Sequence, residues 1–272
     1  MAMALLLLFQ ITGVLNFAQA DIGMFLAFLV FAILSATHIA AGWGVLIGIV
    51  LACAMGLVLY LLLVRFRPAN ALDMSLRTLG LFLLFLALAE KFWGRDAPYQ
   101  FPSIVPDGTV KIGGYAVTTT QIVAAVFALV VAGAVGFLIQ RTRVGLLIRA
   151  MRSDREIAMD LGVNVHAIDA LAWIASTVVA LVVAIMVATI TILSPTMMGP
   201  FLLAAFAAAM LGGLHSMVGA LVAGLVLGVV RSGTAVYLNE PSWSQIIAFV
   251  ILVGGLIIRE RLQPSRATAT RL

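Results

Sequence analysis

Apolar runs follow one another along the whole chain with only short polar punctuation between them. Most approach the roughly twenty residues that a helix needs to cross a hydrocarbon core of about 30 Å. They predict helices over Ala4–Phe17, Ile22–Ala40, Trp43–Val64, Ser75–Phe92, Thr119–Ile139, Ile168–Leu193, Phe201–Leu211, Val218–Val230 and Ile246–Ile258. Ile22 to Val64 is nearly continuous, punctuated only by His38 and Gly42-Trp43-Gly44, which predicts a tight helical hairpin. Between the fourth and fifth runs, Gly94 to Val117 holds Pro98, Pro102, Pro106, Gly108, Gly113 and Gly114, a composition that stops a helix and predicts turns with a small strand pair at KIGGYAV. That segment reads either as a surface connector or as a contact surface for an external delivery protein.

Composition sharpens the class. Hydrophobic residues make up 64% of the 272 and charged ones 10%, with mean hydropathy +1.19, against about a quarter charged in soluble domains. The pattern is that of an all-α polytopic membrane bundle of eight or nine segments, read as one transmembrane domain over residues 1–272. The N-terminus lacks a basic lead-in and a small-residue cleavage site before Asp21, so it reads as part of the fold, although short for a first span. The net charge of +5 is dispersed between spans and does not make a nucleic-acid surface. Arg65, Arg67 and Arg77, then Arg141, Arg143, Arg149, Arg152 and Arg155, then Arg259, Arg261, Arg266 and Arg271 fall on one side. Lys91, Arg95 and Lys111 fall on the other, and Arg231 sits at a boundary. The positive-inside rule then places the segment near residues 140–168 and the C-terminus in the cytoplasm. Cys53 is the single cysteine, and His38, His166 and His215 are isolated, so the sequence carries neither a disulfide framework nor a metal-ligand spacing.

The densest charge lies from Arg141 to Asp160. Within it Ser153-Asp154-Arg155-Glu156 fits a capping box, which predicts a two-turn helix from Asp154 to Leu161 ended by Gly162 in a positive-φ conformation. Ile157, Ala158 and Leu161 form a narrow apolar face, with Arg155 and Asp160 left to water or a partner. Spacing alone leaves two readings open: a solvated loop that satisfies the positive-inside rule, or a docking helix.

Two segments interrupt the apolar pattern with polar or helix-breaking residues. Asn16, Gln19 and Asp21 lie between the first two runs, and Ser194-Pro195-Thr196-Met197-Met198-Gly199-Pro200 precedes an unusually short one. Polar groups at membrane depth are costly unless they face protein or a water-filled cavity, and broken helices at matching places in two halves mark transport pathways. Asn16, Gln19, Asp21, Ser194, Pro195, Met198 and Gly199 are therefore pathway candidates, with an interfacial turn as the alternative for the first group. Asp21-Ile22-Gly23-Met24-Phe25-Leu26-Ala27-Phe28 and Met197-Met198-Gly199-Pro200-Phe201-Leu202-Leu203-Ala204 form a weak internal parallel that hints at two structural repeats. Small residues crowd the last third, and Gly224 and Gly228 give a GxxxG spacing suited to close helix packing.

The run RTRVGLLIRAMRSDREIAMDLGVNVHAIDALAW resembles the cytoplasmic loop of ABC importer permeases, where Glu-Ala-Ala, three residues and then Gly mark the helix that sits in a groove of the ATPase subunit. Here it reads Glu156-Ile157-Ala158, Met159-Asp160-Leu161, Gly162. GVLNFAQADIGMFLAF and SPTMMGPFLLAAFAAAMLGGLHSMVGALVAGLVLGVV resemble the entry segment and C-terminal signature of the branched-chain amino acid permease family, so the likeness covers nearly the whole chain. Two departures stand out: Gln19-Ala20-Asp21 in place of the family's usual His-Gly-Glu, and Ile157 in place of alanine.

The resemblance implies one of two permease subunits, a second copy or a paralogue completing the pair, in a bacterial inner membrane. It implies a periplasmic binding protein that delivers substrate, membrane lipid around the spans, and cytoplasmic ATPase subunits that hold ATP and Mg, with no cofactor on this chain. Ser153, Asp154, Arg155, Glu156, Ile157, Ala158, Leu161 and Gly162 would couple to the ATPase. The substrate would be a branched-chain or related small amino acid; urea, a short amide or an aromatic acid is the alternative within the family. An ion-coupled secondary transporter is the alternative outside it and calls for paired intramembrane ionisable groups, where the sequence offers isolated Asp21 and Glu90. A stabilising subunit without a pathway is a third. No Walker A loop or nucleophile elbow is present, so the chain is not expected to be an enzyme.

Overall fold

The computed structural model describes residues 1–37, 39–65, 70–102, 108–112, 115–214, 216–238, 250 and 254. In chain order the elements are α1 (Ala2–Thr12), α2 (Gln19–Thr37), α3 (Ala41–Tyr60, prolonged by a π turn over Leu61–Arg65), α4 (Ala71–Trp93), β1 (Thr109–Ile112), β2 (Tyr115–Thr118), α5 (Thr119–Arg141), α6 (Arg143–Ser153), α7 (Arg155–Asp160), α8 (Val165–Ile190), α9 (Gly199–Gly212) and α10 (Met217–Leu238). Among the described residues six helices are long and apolar enough to cross a membrane: α2, α3, α4, α5, α8 and α10. α1 and α9 are apolar but shorter. The protein is an all-α polytopic membrane protein, as the hydropathy pattern predicts. The last predicted span, Ile246–Ile258, lies outside the described residues except for the helical Val250 and Gly254, as do His38 and His215.

The chain divides into two compact units, Met3–Leu202 with Met1, and Leu203–Leu272 with Ala2. The first is organised around α8, which packs against α2 and α3. Glycine makes the approach close: a Cβ on Gly56 would stand 2.7 Å from the Ile174 Cα, and one on Gly23 would strike the Ala180 carbonyl. In a lipid environment such small-residue contacts, more than hydrophobic burial, hold helices together. More than half of α2's apolar stretch and half of α8's are buried in the protein, against 6% of α5's. α2 also carries Phe25, Phe28 and Phe31 against Phe85 and Trp93 of α4 and against Tyr99 and Phe101 of the loop that follows.

The hairpin between α2 and α3 forms, but its bend is not at Gly42-Trp43-Gly44. α3 already starts at Ala41, because Trp43 and Gly44 donate their amides to the Ala40 carbonyl and so belong to the first helical turn. In the outer loop β1 and β2 pair antiparallel with Ile112 opposite Tyr115, the strand pair predicted from KIGGYAV. Tyr99 bridges antiparallel to Leu193 at the end of α8.

The second unit has a small-residue core of Ala207, Ala208 and Leu227, flanked by Ala2, Leu211 and Ala223. α9 turns into α10 through Gly213 at φ 91°, and the Gly212 and Gly219 backbones lie so close that neither tolerates a side chain. Of the GxxxG pair, Gly224 faces the Ala208 Cβ at 3.6 Å, whereas a Cβ on Gly228 meets nothing within 4 Å among the described residues.

Candidate functional site: a docking helix and a broken helix

Between α5 and α8 the charged island folds into two short helices. α6 escaped the sequence reading, which treated its arginines as loop. Thr142 caps it by accepting from the Gly145 amide at 3.1 Å, and Gly145, Ile148 and Met151 make one buried face at i, i+3, i+6. Arg149 folds back to donate to the Ile139 carbonyl at 2.7 Å, satisfying an orphan acceptor at the end of α5.

α7 exists, with a different start from that predicted. Ser153 is the last residue of α6, and the cap is Asp154, whose carboxylate accepts from the Glu156 amide at 2.9 Å and the Ile157 amide at 3.0 Å. The predicted Ser153–Glu156 box gives way because aspartate caps as well as serine and α6 has already claimed Ser153, leaving Asp154 as the extended joint between two helices. The predicted end holds. Gly162 sits at φ 82°, donating to the Met159 carbonyl at 2.9 Å, while Val163 donates to Ala158 at 3.0 Å. That is a Schellman closure.

The faces of α7 also differ from the reading. Ala158 is buried, but Ile157 and Leu161 point outward at 57% and 78% exposure, with Met159 beside them at 48%. Arg155, expected to be available to a partner, is engaged within the protein, although its side chain is still 40% exposed. One arm of its guanidinium pairs with Asp169 of α8, which is 1% exposed, and the other donates to the Ile11 carbonyl in the last turn of α1 at 3.4 Å. Asp169 lies within electrostatic reach of His166 and Tyr60, and the Tyr60 hydroxyl is 3.2 Å from His166 Nδ1. A lone acid at the mouth of an apolar run was the readable signal for Asp169; its partner, fourteen positions away in the chain, was not.

α1 stops at Thr12, earlier than the predicted Phe17, because Gly13 adopts φ 72° and donates to the Phe9 carbonyl. The chain from Gly13 to Ala18 is non-helical yet buried at Val14, Asn16 and Ala18, and such backbone survives at membrane depth only when protein groups satisfy it. α4 supplies them. Ser75 accepts from the Leu15 amide at 3.2 Å. Thr78 accepts from the Phe17 amide at 3.1 Å, and its hydroxyl lies 3.1 Å from the Leu15 carbonyl. Asn16 accepts from the Ala18 amide at 3.1 Å. Neither Ser75 nor Thr78 was expected to matter, since each reads as an ordinary polar residue in a span.

Asn16, Gln19 and Asp21 are all buried within the protein at this break, at 2%, 1% and 4% exposure. Both polar atoms of the Gln19 amide and one oxygen of Asp21 find no partner among the described residues. At the second break Ser194 to Met198 closes on its own backbone, Met197 donating to Ser194 and Gly199 to Thr196, before the short α9 begins at Gly199. Pro195 and Met198 are buried, Ser194 partly so and Gly199 exposed. The first break thus rests on α4, whereas the second closes on itself just beyond Leu193, whose backbone pairs with Tyr99 of the outer loop.

Residues 1–256 match the family model described as branched-chain amino acid transport system / permease component. The chain belongs to this family. It is a transmembrane permease of the ABC amino acid transport class, which sets aside the ion-coupled alternative. It is 25% identical over 265 residues to the high-affinity branched-chain amino acid transport system permease protein LivH of Escherichia coli (strain K12), covering 93% of this chain and 86% of that one. The same protein type named BraD in Pseudomonas aeruginosa is 25% identical over 267 residues, with the same coverage. A probable LivH from Methanocaldococcus jannaschii is 23% identical over 274 residues, covering 95% and 85%. No solved structure shows a significant match.

Proposed function

We propose that the permease is one of two membrane subunits of a bacterial inner-membrane importer for branched-chain or related small amino acids. Cytoplasmic ATPase subunits bind and hydrolyse ATP with Mg, and a periplasmic binding protein delivers the substrate. The observation that carries the reading is α7. It is held at both ends, by the Asp154 cap and the Gly162 closure, and it still presents Ile157, Met159 and Leu161 to the outside. A six-residue helix is marginal by itself, and an apolar knob fixed on an otherwise charged loop fits a groove on a partner. The arginine excess on this side supports a cytoplasmic position for α7 and for the C-terminus.

The Gln19 amide and one Asp21 oxygen, buried and without partners among the described residues, supply the substrate end of the path. An amino acid carries an ammonium for the carboxylate and a carboxylate for the amide N–H groups, so each unmet atom has a complement in the same small molecule. The names of the relatives favour branched-chain substrates, and the Gln19-Ala20-Asp21 departure is where selectivity would differ.

Co-expression with the ATPase subunits of its own genome tests the docking. Wild type copurifies with them in detergent. Paired Ile157→Asp and Leu161→Asp substitutions lower ATPase recovery about tenfold, the scale of losing interface anchors, while the permease stays monodisperse. Unchanged recovery overturns the reading.

A further inference from the structure

We infer that Arg155 is a positioning residue that passes movement of α7 to the broken helix, through its two-armed hold on Asp169 and on the C-terminal turn of α1. The inference rests on the docking reading of α7 and goes further by naming the link between that helix and the pathway. The sequence leaves Arg155 on the docking helix, open to water or a partner, yet the structure engages it, with its side chain still 40% exposed, in a contact among three helices.

Three features support the role. First, the two arms join two elements at once: Asp169 on α8, the helix around which the first unit packs, and Ile11 on α1, which α8 also meets further along, where the Ser176 hydroxyl donates to the Ala4 carbonyl. Guanidinium is the side chain suited to this, since its fixed fork serves two acceptors in different directions where a lysine ammonium offers a point charge. Second, the α1 contact falls at a yielding place. Ile11 lies two residues before Gly13, where the chain leaves the helix, and its carbonyl is among the terminal acceptors that a helix leaves open. The segment beyond runs directly into Asn16, Gln19 and Asp21. Displacement of the α1 terminus is therefore displacement of the pathway residues.

Third, the arrangement is unsaturated. The Arg155 bond to Ile11 is long at 3.4 Å, against about 2.9 Å for an ordinary N–H···O bond. The second oxygen of buried Asp169 has no partner among the described residues. A bidentate pairing of Arg155 with Asp169 is therefore open to it and would release Ile11, giving two arrangements of the same three groups. An element with two discrete arrangements is what coupling between distant sites requires.

The test uses the complete importer, both permease subunits with ATPases and binding protein, reconstituted in proteoliposomes, with leucine uptake and ATP hydrolysis measured together. Arg155→Ala is expected to retain ATPase copurification and hydrolysis but to lower uptake per ATP about tenfold, within the ordinary range of coupling factors. Arg155→Lys, which keeps the charge and protects the fold, is expected to lower it about threefold, and the exchange Arg155→Asp with Asp169→Arg to recover part of the loss relative to Arg155→Ala. Wild-type uptake per ATP in both Arg155→Ala and Arg155→Lys overturns the inference and leaves docking standing. Loss of ATPase recovery in Arg155→Lys equal to that of the Ile157/Leu161 pair also overturns it, since Arg155 would then only hold the docking surface in shape. Undiminished ATPase recovery in the Ile157/Leu161 pair removes the docking reading itself and the inference with it.

Discussion

The two breaks in the apolar pattern solve the same problem in opposite ways. At Gly13–Ala18 the interrupted backbone borrows hydroxyls from α4, and the side chains it brings inside keep polar atoms unmet. At Ser194–Met198 the backbone closes on itself in short turns, just beyond the pairing of Leu193 with Tyr99. A break that depends on a neighbour and leaves polar atoms without partners among the described residues keeps hydrogen-bonding capacity in reserve. One that satisfies itself is equipped to redirect the chain.

The weak internal parallel aligns Gly23 with Gly199, and the largest expected contrast lies there. Gly23→Leu drives a side chain into the Ala180 carbonyl, whereas Gly199→Ala meets nothing within 4 Å among the described residues. Thermal unfolding in detergent should show Gly23→Leu lost or severely destabilised, by about 3 kcal/mol or more as expected for overpacking against backbone. Gly199→Ala should be close to wild type; equal damage at both positions erases the distinction. A smaller contrast comes from threonines. Thr78→Val keeps the shape but removes the hydroxyl that receives the part-buried Phe17 amide, at about 1 kcal/mol, while Thr196→Val on the exposed part of the second break should change stability by less than about 0.5 kcal/mol.

Smallest in stability and most telling for function is Gln19→Leu. Both polar atoms of that side chain are buried and have no partner among the described residues, so an apolar replacement should leave the unfolding temperature unchanged or raise it slightly. Uptake should nevertheless fall about tenfold if the amide contacts substrate, as sites built to bond a polar group respond strongly to its loss. Unaltered uptake would move the pathway away from the first break.

Hydropathy and glycine punctuation made the spans legible, along with the Gly162 stop and the β-hairpin, because each depends on a local property of a few consecutive residues. The burial of Asn16, Gln19 and Asp21 was inferable from the cost of polar groups between apolar runs. Ser75, Thr78 and the Arg155–Asp169 pair were not, because their importance arises from partners fourteen to sixty-odd positions away. α6 was missed for a related reason: its buried face of Gly145, Ile148 and Met151 is too narrow to stand out among five arginines. Ile157 and Leu161 were grouped correctly with Ala158 as apolar, but which side of a six-residue helix faces inward is decided by the tertiary contacts of Arg155.

The clamp on the first break also sets a schedule. At about 5–20 residues per second of synthesis, the 60 positions separating Leu15 from Ser75 take about 3–12 s to appear. For that interval the amides of Leu15 and Phe17 lack the hydroxyls that later receive them. The beginning of this chain therefore cannot reach its final form in the order in which it is made. It must wait in a water-accessible or protein-lined place until α4 arrives, so a variant lacking Ser75 and Thr78 should reveal itself first as a defect of biogenesis.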